Sequence, residues 1–184
     1  MRMPGSRPAR FAGAEGFTLI ELLIVIVIVG LLASLAIATY RSARVRANEV
    51  TTLASLRAIN DAQFAFAQTC GNQRFAPTLA TLGTPMPTTG RAFLSPDLAV
   101  DPVTGHGYQV VMTGTPLTDG TRSCLDAAPA AGYLVTADPL TPGISGSRFF
   151  GTNSDRALFE DSTTFVATMP ESGAPGHGSE LRAP

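Results

Sequence analysis

The chain of 184 residues has no tryptophan, no lysine, two cysteines and two histidines, and only 15% of its residues are charged. Its thirteen basic residues are all arginines, and fourteen acids leave a formal charge of −1. A charge so near zero argues against a basic surface that binds nucleic acid. A structural zinc site is also disfavoured, since it usually takes four Cys or His ligands and would need every one in the chain.

The hydrophobic residues are concentrated in one long run. From Leu22 to Thr39 the chain has 18 consecutive uncharged residues, which as a helix would extend over about 27 Å. This length nearly matches the ~30 Å hydrocarbon core of a bilayer. The run is apolar on all sides, so it belongs in lipid or at the centre of an assembly. Residues 24–29 would also suit a buried strand, but in a bilayer only a helix satisfies its backbone groups within one segment.

A basic segment precedes this run. Residues 1–16 include Arg2, Arg7 and Arg10 together with two prolines and three glycines, a composition typical of a targeting leader. Glu21 then lies at the edge of the apolar run, where a carboxylate is costly and requires a reason.

The sequence from Gly16 to Leu23, GFTLIELL, resembles the processing signature of type IV pilins and type II secretion pseudopilins. The resemblance implies that a prepilin peptidase cuts between Gly16 and Phe17 and methylates the new amino group of Phe17. It also implies that Glu21 acts in assembly. Cleavage would leave ten arginines and thirteen acids, so the mature chain would be mildly acidic.

The resemblance also implies partners and a location. The chain would polymerise with identical or different pilin subunits, and would contact the prepilin peptidase, membrane lipid, and an inner-membrane assembly platform with a separate ATPase. A single pass through the bacterial inner membrane would place the head in the periplasm, before the subunit joins an extracellular filament.

The chemistry of Glu21 allows more than one role. Cleavage would create a positive amino group at a helix N-terminus, where the helix dipole also favours a nearby carboxylate. In the pilin family this Glu is understood to pair with the Phe amine of a neighbouring subunit. Such a pair sets the axial register, because a misplaced subunit would bury its charge unpaired. Pairing within one subunit, or an interfacial acid that the segment merely tolerates, are the alternatives.

A rival interpretation concerns the same N-terminus. Ala36-Ile37-Ala38 fits the small-x-small cleavage pattern of signal peptidase I. In this interpretation the N-terminus is a long secretion signal that is removed. An acid such as Glu21 would be unusual inside the apolar region of a secretion signal. Orientation cannot be decided by counting, because three arginines precede the run and three follow it: Arg41, Arg44 and Arg46. The latter would contact lipid phosphates, acids of a neighbour, or only water.

The rest of the chain predicts an α+β fold. The helix is expected to continue through residues 41–70, with an apolar side formed by Leu53, Leu56, Ile59 and Phe66. A loop rich in Pro, Thr and Gly follows, with at most a turn of helix at Thr78–Leu82. Four short strands are then predicted, at Tyr108–Thr113, Gly132–Ala137, Ser147–Gly151 and Arg156–Phe159. An antiparallel sheet packed on the helix results, an order of elements that also resembles pilins.

The predicted divisions are a leader (1–16), a transmembrane and polymerisation helix (17–40), the amphipathic second half of the helix (41–70), a soluble head (71–160) and a flexible tail (161–184). The last fifteen residues are rich in Pro, Gly and Ser and offer little apolar surface to bury.

The two cysteines, Cys70 and Cys124, are predicted to form one disulfide, because an exported head has an oxidising environment. The bond would fix the Gly-rich loop to the end of the helix. Two free thiols in a reducing compartment are the alternative. The absence of CxxC spacing gives redox catalysis little support.

No combination of residues suggests catalysis or a cofactor. His106 and His177 have no Ser, Cys or carboxylate at a suggestive spacing. Loops of some secretion pseudopilins bind calcium through aspartates, but this sequence has no compact loop of such ligands. Its four candidate aspartates are better explained as solvated turn residues: Asp97, Asp101, Asp119 and Asp126. There is no P-loop, so any assembly motor is another protein.

We therefore predict a structural subunit of a type IV pilus-like filament, with no enzymatic activity, no metal and no cofactor. A type II secretion pseudopilin is the alternative. A binding protein or enzyme anchored in the periplasm is a third, less favoured interpretation.

Overall fold

A computed structural model describes residues 16–181 of the chain. The predicted leader, apart from Gly16, lies outside the described residues. The chain divides into two compact units, one up to Tyr40 and one from Arg41 onward. One helix, α1 (Leu19–Thr69, 51 residues), contributes residues to both units.

In the first unit, helix α1 consists almost entirely of apolar residues, and its side chains are exposed. Each of its large hydrophobic side chains from Leu19 to Ile37 is at least half exposed. By length and composition, α1 is the one helix among residues 16–181 that could cross a membrane.

In the second unit, α1 presents a buried apolar side. Leu56, Ile59 and Phe66 are fully buried, and Leu53 packs partly buried against the same core. The helix ends after Thr69, where Asn72 and Gln73 adopt left-handed backbone angles, φ 50° and 65°. Gly71 is required by close approach rather than by its angle, since a Cβ there would lie 2.1 Å from the carbonyl oxygen of Arg74.

The segment that follows α1 contains little regular structure. Helix α2 (Leu79–Gly83) is one turn long. Thr78 is its N-cap, because the hydroxyl of Thr78 accepts a hydrogen bond from the N–H of Thr81. This agrees with the short helical turn expected at Thr78–Leu82. A 3-10 turn at Pro96–Leu98 precedes the sheet.

The sheet has six strands, each antiparallel to the next, in the order of the sequence. The strands are β1 (Val103–Gly105), β2 (Tyr108–Thr113), β3 (Leu134–Pro139), β4 (Phe149–Asn153), β5 (Leu158–Asp161) and β6 (Ser179–Glu180). The predicted α+β class is confirmed. The prediction placed β2 correctly and β3, β4 and β5 two residues too early, and it missed the short edge strands β1 and β6.

The main core lies between the sheet and the buried side of α1. Alternate residues of β2, such as Tyr108, Val110 and Met112, face this core. Their partners across the β2–β3 ladder include Val135 and Ala137, and Ala137 in turn pairs with Phe150 of β4. This alternation is what a sheet with one buried face requires.

A second, smaller core covers the other face of the sheet. Phe165 and Met169 pack with Phe159 of β5, and a side chain at Gly151 would meet both of them at 3.3 Å or less. Residues 161–181, most of the segment expected to be a flexible tail, contribute to this core and to the sheet, and the flexibility of the tail stays a prediction. Two buried apolar side chains and the pairing of β6 with β5 anchor this segment, although its composition is poor in such residues. Residues 182–184 lie outside the described part.

Candidate functional site

The bond between Gly16 and Phe17 lies ahead of the first helical residue, in an exposed position. Phe17 is 79% exposed, and a Cβ at Gly16 would meet no described atom within 4 Å. Exposed backbone outside regular structure is the kind that peptidases cut. The structure thus leaves the predicted cleavage point accessible.

Helix α1 begins with a capping arrangement at Thr18. The backbone N–H of Glu21 donates to Oγ1 of Thr18 at 3.2 Å, and the N–H of Leu22 donates to the carbonyl oxygen of Thr18. Thr18 is therefore the N-cap and Glu21 the third helical residue, the spacing of a capping box. The T-x-x-E pattern of residues 18–21 is the sequence signal for this cap, although no prediction above rests on it.

Glu21 therefore lies in the first turn of α1, at the positive end of the helix dipole. A carboxylate in the first turn interacts favourably with the positive end of the helix dipole. The side chain carries this charge at the start of an apolar surface that remains exposed for about six helical turns.

These features coincide with a known sequence motif. Residues 12–37 match the family model of the prokaryotic N-terminal methylation motif. This is the type IV pilin and pseudopilin signature. The match includes Gly16, Phe17 and Glu21, so the resemblance stated from these residues is confirmed. No curated protein and no solved structure matches the chain.

The pilin signature has direct consequences for the chain. It points to a structural subunit that polymerises with other pilins and is processed by a prepilin peptidase. Together with the apolar helix it indicates membrane anchoring. The individual roles of Gly16, Phe17 and Glu21 stay predictions.

A disulfide joins Cys70 and Cys124, with their Cα atoms 4.8 Å apart. The N–H of Cys124 also donates to the carbonyl oxygen of Cys70 at 3.0 Å. The bond fixes the segment before β3 to the end of α1. It closes a long loop, which removes conformations mainly from the unfolded chain.

The sequence analysis missed an ionic cluster formed by Glu49, Arg148 and Glu160. Glu49 is 3% exposed, and its Oε2 accepts from Nη2 of Arg148 at 2.8 Å and from Nε at 3.0 Å. Its Oε1 accepts from the backbone N–H and the hydroxyl of Ser147. Arg148 also pairs with Glu160 at 2.5 Å. The cluster ties α1 to β5 and to the segment just before β4.

The protonation of this cluster follows from its contacts. Burial acts to raise the pKa of Glu49, but the hydrogen bonds from Ser147 and Arg148 and the charge of Arg148 outweigh it and lower the pKa. Burial acts to lower the pKa of Arg148, but the carboxylates of Glu49 and Glu160 outweigh burial, so the pKa of Arg148 is raised. The pair is therefore held in its charged form.

Two further buried polar residues of α1 hold the sheet and loop in place. Gln63 accepts from the N–H of Ala76 and donates to its carbonyl oxygen, both at 2.8 Å. Asn60 accepts from the hydroxyl of Tyr133 and donates to that of Thr152, both at 2.9 Å. In the sequence, the sign of these contacts is that Asn60 and Gln63 lie among the apolar residues of the stripe at residues 53–66.

His177 lies in a hydrogen-bonded group that the spacing of residues did not suggest. Its Nδ1 bonds to Asp161, its Nε2 is 2.7 Å from the hydroxyl of Thr168, and its ring stacks on Phe165. The hydrogen bond from His177 is the largest cause that lowers the pKa of Asp161. The group fastens the C-terminal segment to the second core.

Two of the aspartates weighed as calcium ligands accept hydrogen bonds from backbone N–H groups instead. Asp101 accepts from the N–H groups of Leu79 and Met112, and Asp119 accepts from that of Thr121. His106 lies in the β1–β2 turn with φ 50°. Within residues 16–181, no group of three or more His, Cys, Asp or Glu side chains is arranged to hold a metal ion.

Proposed function

We propose that this chain is a structural subunit of a type IV pilus-like filament. The observation that carries the proposal is the coincidence of the methylation motif at residues 12–37 with an apolar helical surface that is exposed throughout. Such a surface must be covered by lipid or by other helices of the same kind.

In this proposal the subunit first resides in the bacterial inner membrane with a single pass and a periplasmic head. A prepilin peptidase then cuts between Gly16 and Phe17 and methylates Phe17. An assembly platform with a separate ATPase moves the subunit from lipid into the filament, where residues 17–40 pack against the same segment of its neighbours. Lipid and helix are comparably apolar, so the transfer needs no exposure of this segment to water.

Mass spectrometry of the mature N-terminus tests the processing step. We expect the chain to begin at Phe17 with one added methyl group. A mature chain that begins at Thr39 would show cleavage by signal peptidase I and would overturn the proposal.

The assembly role of Glu21 is tested with three variants. Glu21→Gln removes the charge and keeps the shape, and Glu21→Ala removes the side chain. Thr18→Ala removes the cap of α1 and keeps the carboxylate, so it controls for fraying of the first turn. We expect all three variants to be processed, and only the Glu21 variants to be lost from sheared filaments. Equal loss in Thr18→Ala would assign the effect to helix capping instead.

Type II secretion pseudopilins carry the same motif, so the location of the assembled subunit separates the two. We expect filaments to be recovered from the medium after shearing at natural expression levels. Recovery with the cells alone, together with loss of protein secretion on deletion, would favour the pseudopilin.

A further inference from the structure

The loop between β3 and β4 exposes two apolar side chains next to the second half of α1. Leu140 is 54% exposed and Ile144 is 72% exposed. Residues 140–146, LTPGISG, include no charged side chain. We call this segment the apolar loop.

The apolar loop is held in a defined conformation. The N–H groups of Ile144 and Ser145 both donate to the carbonyl oxygen of Thr141, and the N–H of Gly143 donates to that of Gly146. Ile144 is therefore exposed by a hydrogen-bonded turn, and its exposure does not require the loop to unfold.

The apolar loop is hydrogen-bonded to α1 near the start of the second unit. Nδ2 of Asn48 donates to the carbonyl oxygen of Ser145 at 2.8 Å, while the later strand and turn contacts fall at Glu49, Asn60 and Asp61. Along the helix, Asn48 is only about 10 Å from Arg41. The loop thus contacts α1 about two helical turns after the start of the second unit.

Three exposed arginines lie on the same stretch of helix. Arg41, Arg44 and Arg46 form no ion pair with any carboxylate of the described residues. Arg41 directly follows the apolar segment in the sequence, so it is placed where that segment leaves the hydrocarbon. Arginines at this position attract anionic headgroups.

We propose that the apolar loop and these three arginines form a surface that binds the membrane interface, with Ile144 and Leu140 in the interfacial region of the bilayer and the arginines on lipid phosphates. This inference rests on the proposed membrane-anchored state of the subunit. Two apolar side chains are too little for a stable protein interface, which buries on the order of 1,000 Å² or more. They suffice for a surface that is already tethered to the bilayer, and the interfacial region extends several ångströms beyond the hydrocarbon core.

The absence of tryptophan makes a direct test available, because one introduced tryptophan is the only one in the chain. Three single variants of the full chain are placed in vesicles of phosphatidylglycerol and phosphatidylethanolamine, with or without brominated acyl chains. Ile144→Trp reports on the loop, Ile28→Trp on the apolar segment, and Val166→Trp, at a position 61% exposed on the second core, serves as a matched control.

We expect a blue-shifted emission that brominated lipid quenches for Ile144→Trp and Ile28→Trp, and neither effect for Val166→Trp. Replacing Arg41, Arg44 and Arg46 together by Gln should reduce quenching at position 144 and leave it unchanged at position 28. Near-ultraviolet circular dichroism of the buried tyrosines verifies that each variant is folded.

Each contrary outcome has its own meaning. Quenching at position 28 without quenching at position 144 would overturn the loop surface and leave membrane anchoring intact. A blue shift at position 144 without quenching would show that protein covers the loop, which also overturns the proposal. Absence of quenching at position 28 would overturn the membrane-anchored state itself, and the inference with it.

Discussion

At the scale of single residues, Glu49 is the one acidic side chain among residues 16–181 that is buried. Its two oxygens accept four hydrogen bonds, from Ser147 and Arg148. Replacement by Ala would leave these donors without their acceptor at a partly buried site. We expect Glu49→Ala to lower the free energy of unfolding by about 2–3 kcal/mol, somewhat below the usual cost of breaking a buried pair because Arg148 is 40% exposed.

The measurement is urea unfolding of the full chain in detergent, followed by the near-ultraviolet signal of Tyr108 and Tyr133. Glu160→Ala is the matched control, since it removes the more exposed partner of the same arginine, at 25% exposure. We expect it to cost about 1 kcal/mol or less. Equal losses in the two variants would contradict the central position of Glu49.

At the scale of elements, the sequence predicted those whose pattern is local. The apolar run and the stripe of Leu56, Ile59 and Phe66 predicted α1, and the turn residues that bound a short segment predicted β2, because each signal lies within one segment. The cleavage motif was likewise readable, since its residues are contiguous. Strands β1 and β6 are two or three residues long and owe their conformation to a neighbouring strand, which no local pattern records.

The ionic cluster was unpredictable for the same reason, because Glu49 and Arg148 are 99 residues apart in sequence. The order of the C-terminal segment depends on contacts of this kind too. Few side chains anchor it, and each matters only through its partner in the sheet or in the second core.

His177 should therefore control the attachment of β6. Without its bonds to Asp161 and Thr168 and its stacking on Phe165, the segment is left with the short ladder to β5 and the contacts of Leu181 with Leu158 and the main core. We expect His177→Ala to accelerate amide exchange in residues 177–181 several-fold, with little change in the global unfolding midpoint, as in local opening of a weakly held element. Hydrogen exchange with mass spectrometry measures both.

His106→Asn is the control for this prediction, because His106 is exposed in a turn whose left-handed angle Asn accepts readily. Its exchange pattern should match that of the unmodified chain. Unchanged protection of residues 177–181 in His177→Ala would show that β6 pairing and the contacts of Leu181 secure the segment without His177.

At the scale of the whole molecule, stability should fall at both extremes of pH. The pKa values of Glu49 and Asp161 are lowered in the folded state, so their contribution is complete above the unfolded values of 4.5 and 3.8 and is lost as the pH falls through the folded ones. Burial raises the pKa values of Tyr108 and Tyr133 above 10.0. Their contribution is complete below that value and is lost as the pH rises further. Urea unfolding between pH 3 and 11 should give a plateau between about pH 5 and 10.

Two substitutions separate the limbs of this profile. Glu49→Gln should lower the free energy of unfolding on the plateau and flatten the acid limb, because the glutamine at position 49 cannot take up a proton on unfolding. Tyr133→Phe should flatten the alkaline limb and leave the acid limb unchanged, since only the phenol titrates there. An acid limb of unchanged steepness in Glu49→Gln would mean that other carboxylates govern acid unfolding, and that the helix is not held to the sheet chiefly through this charge.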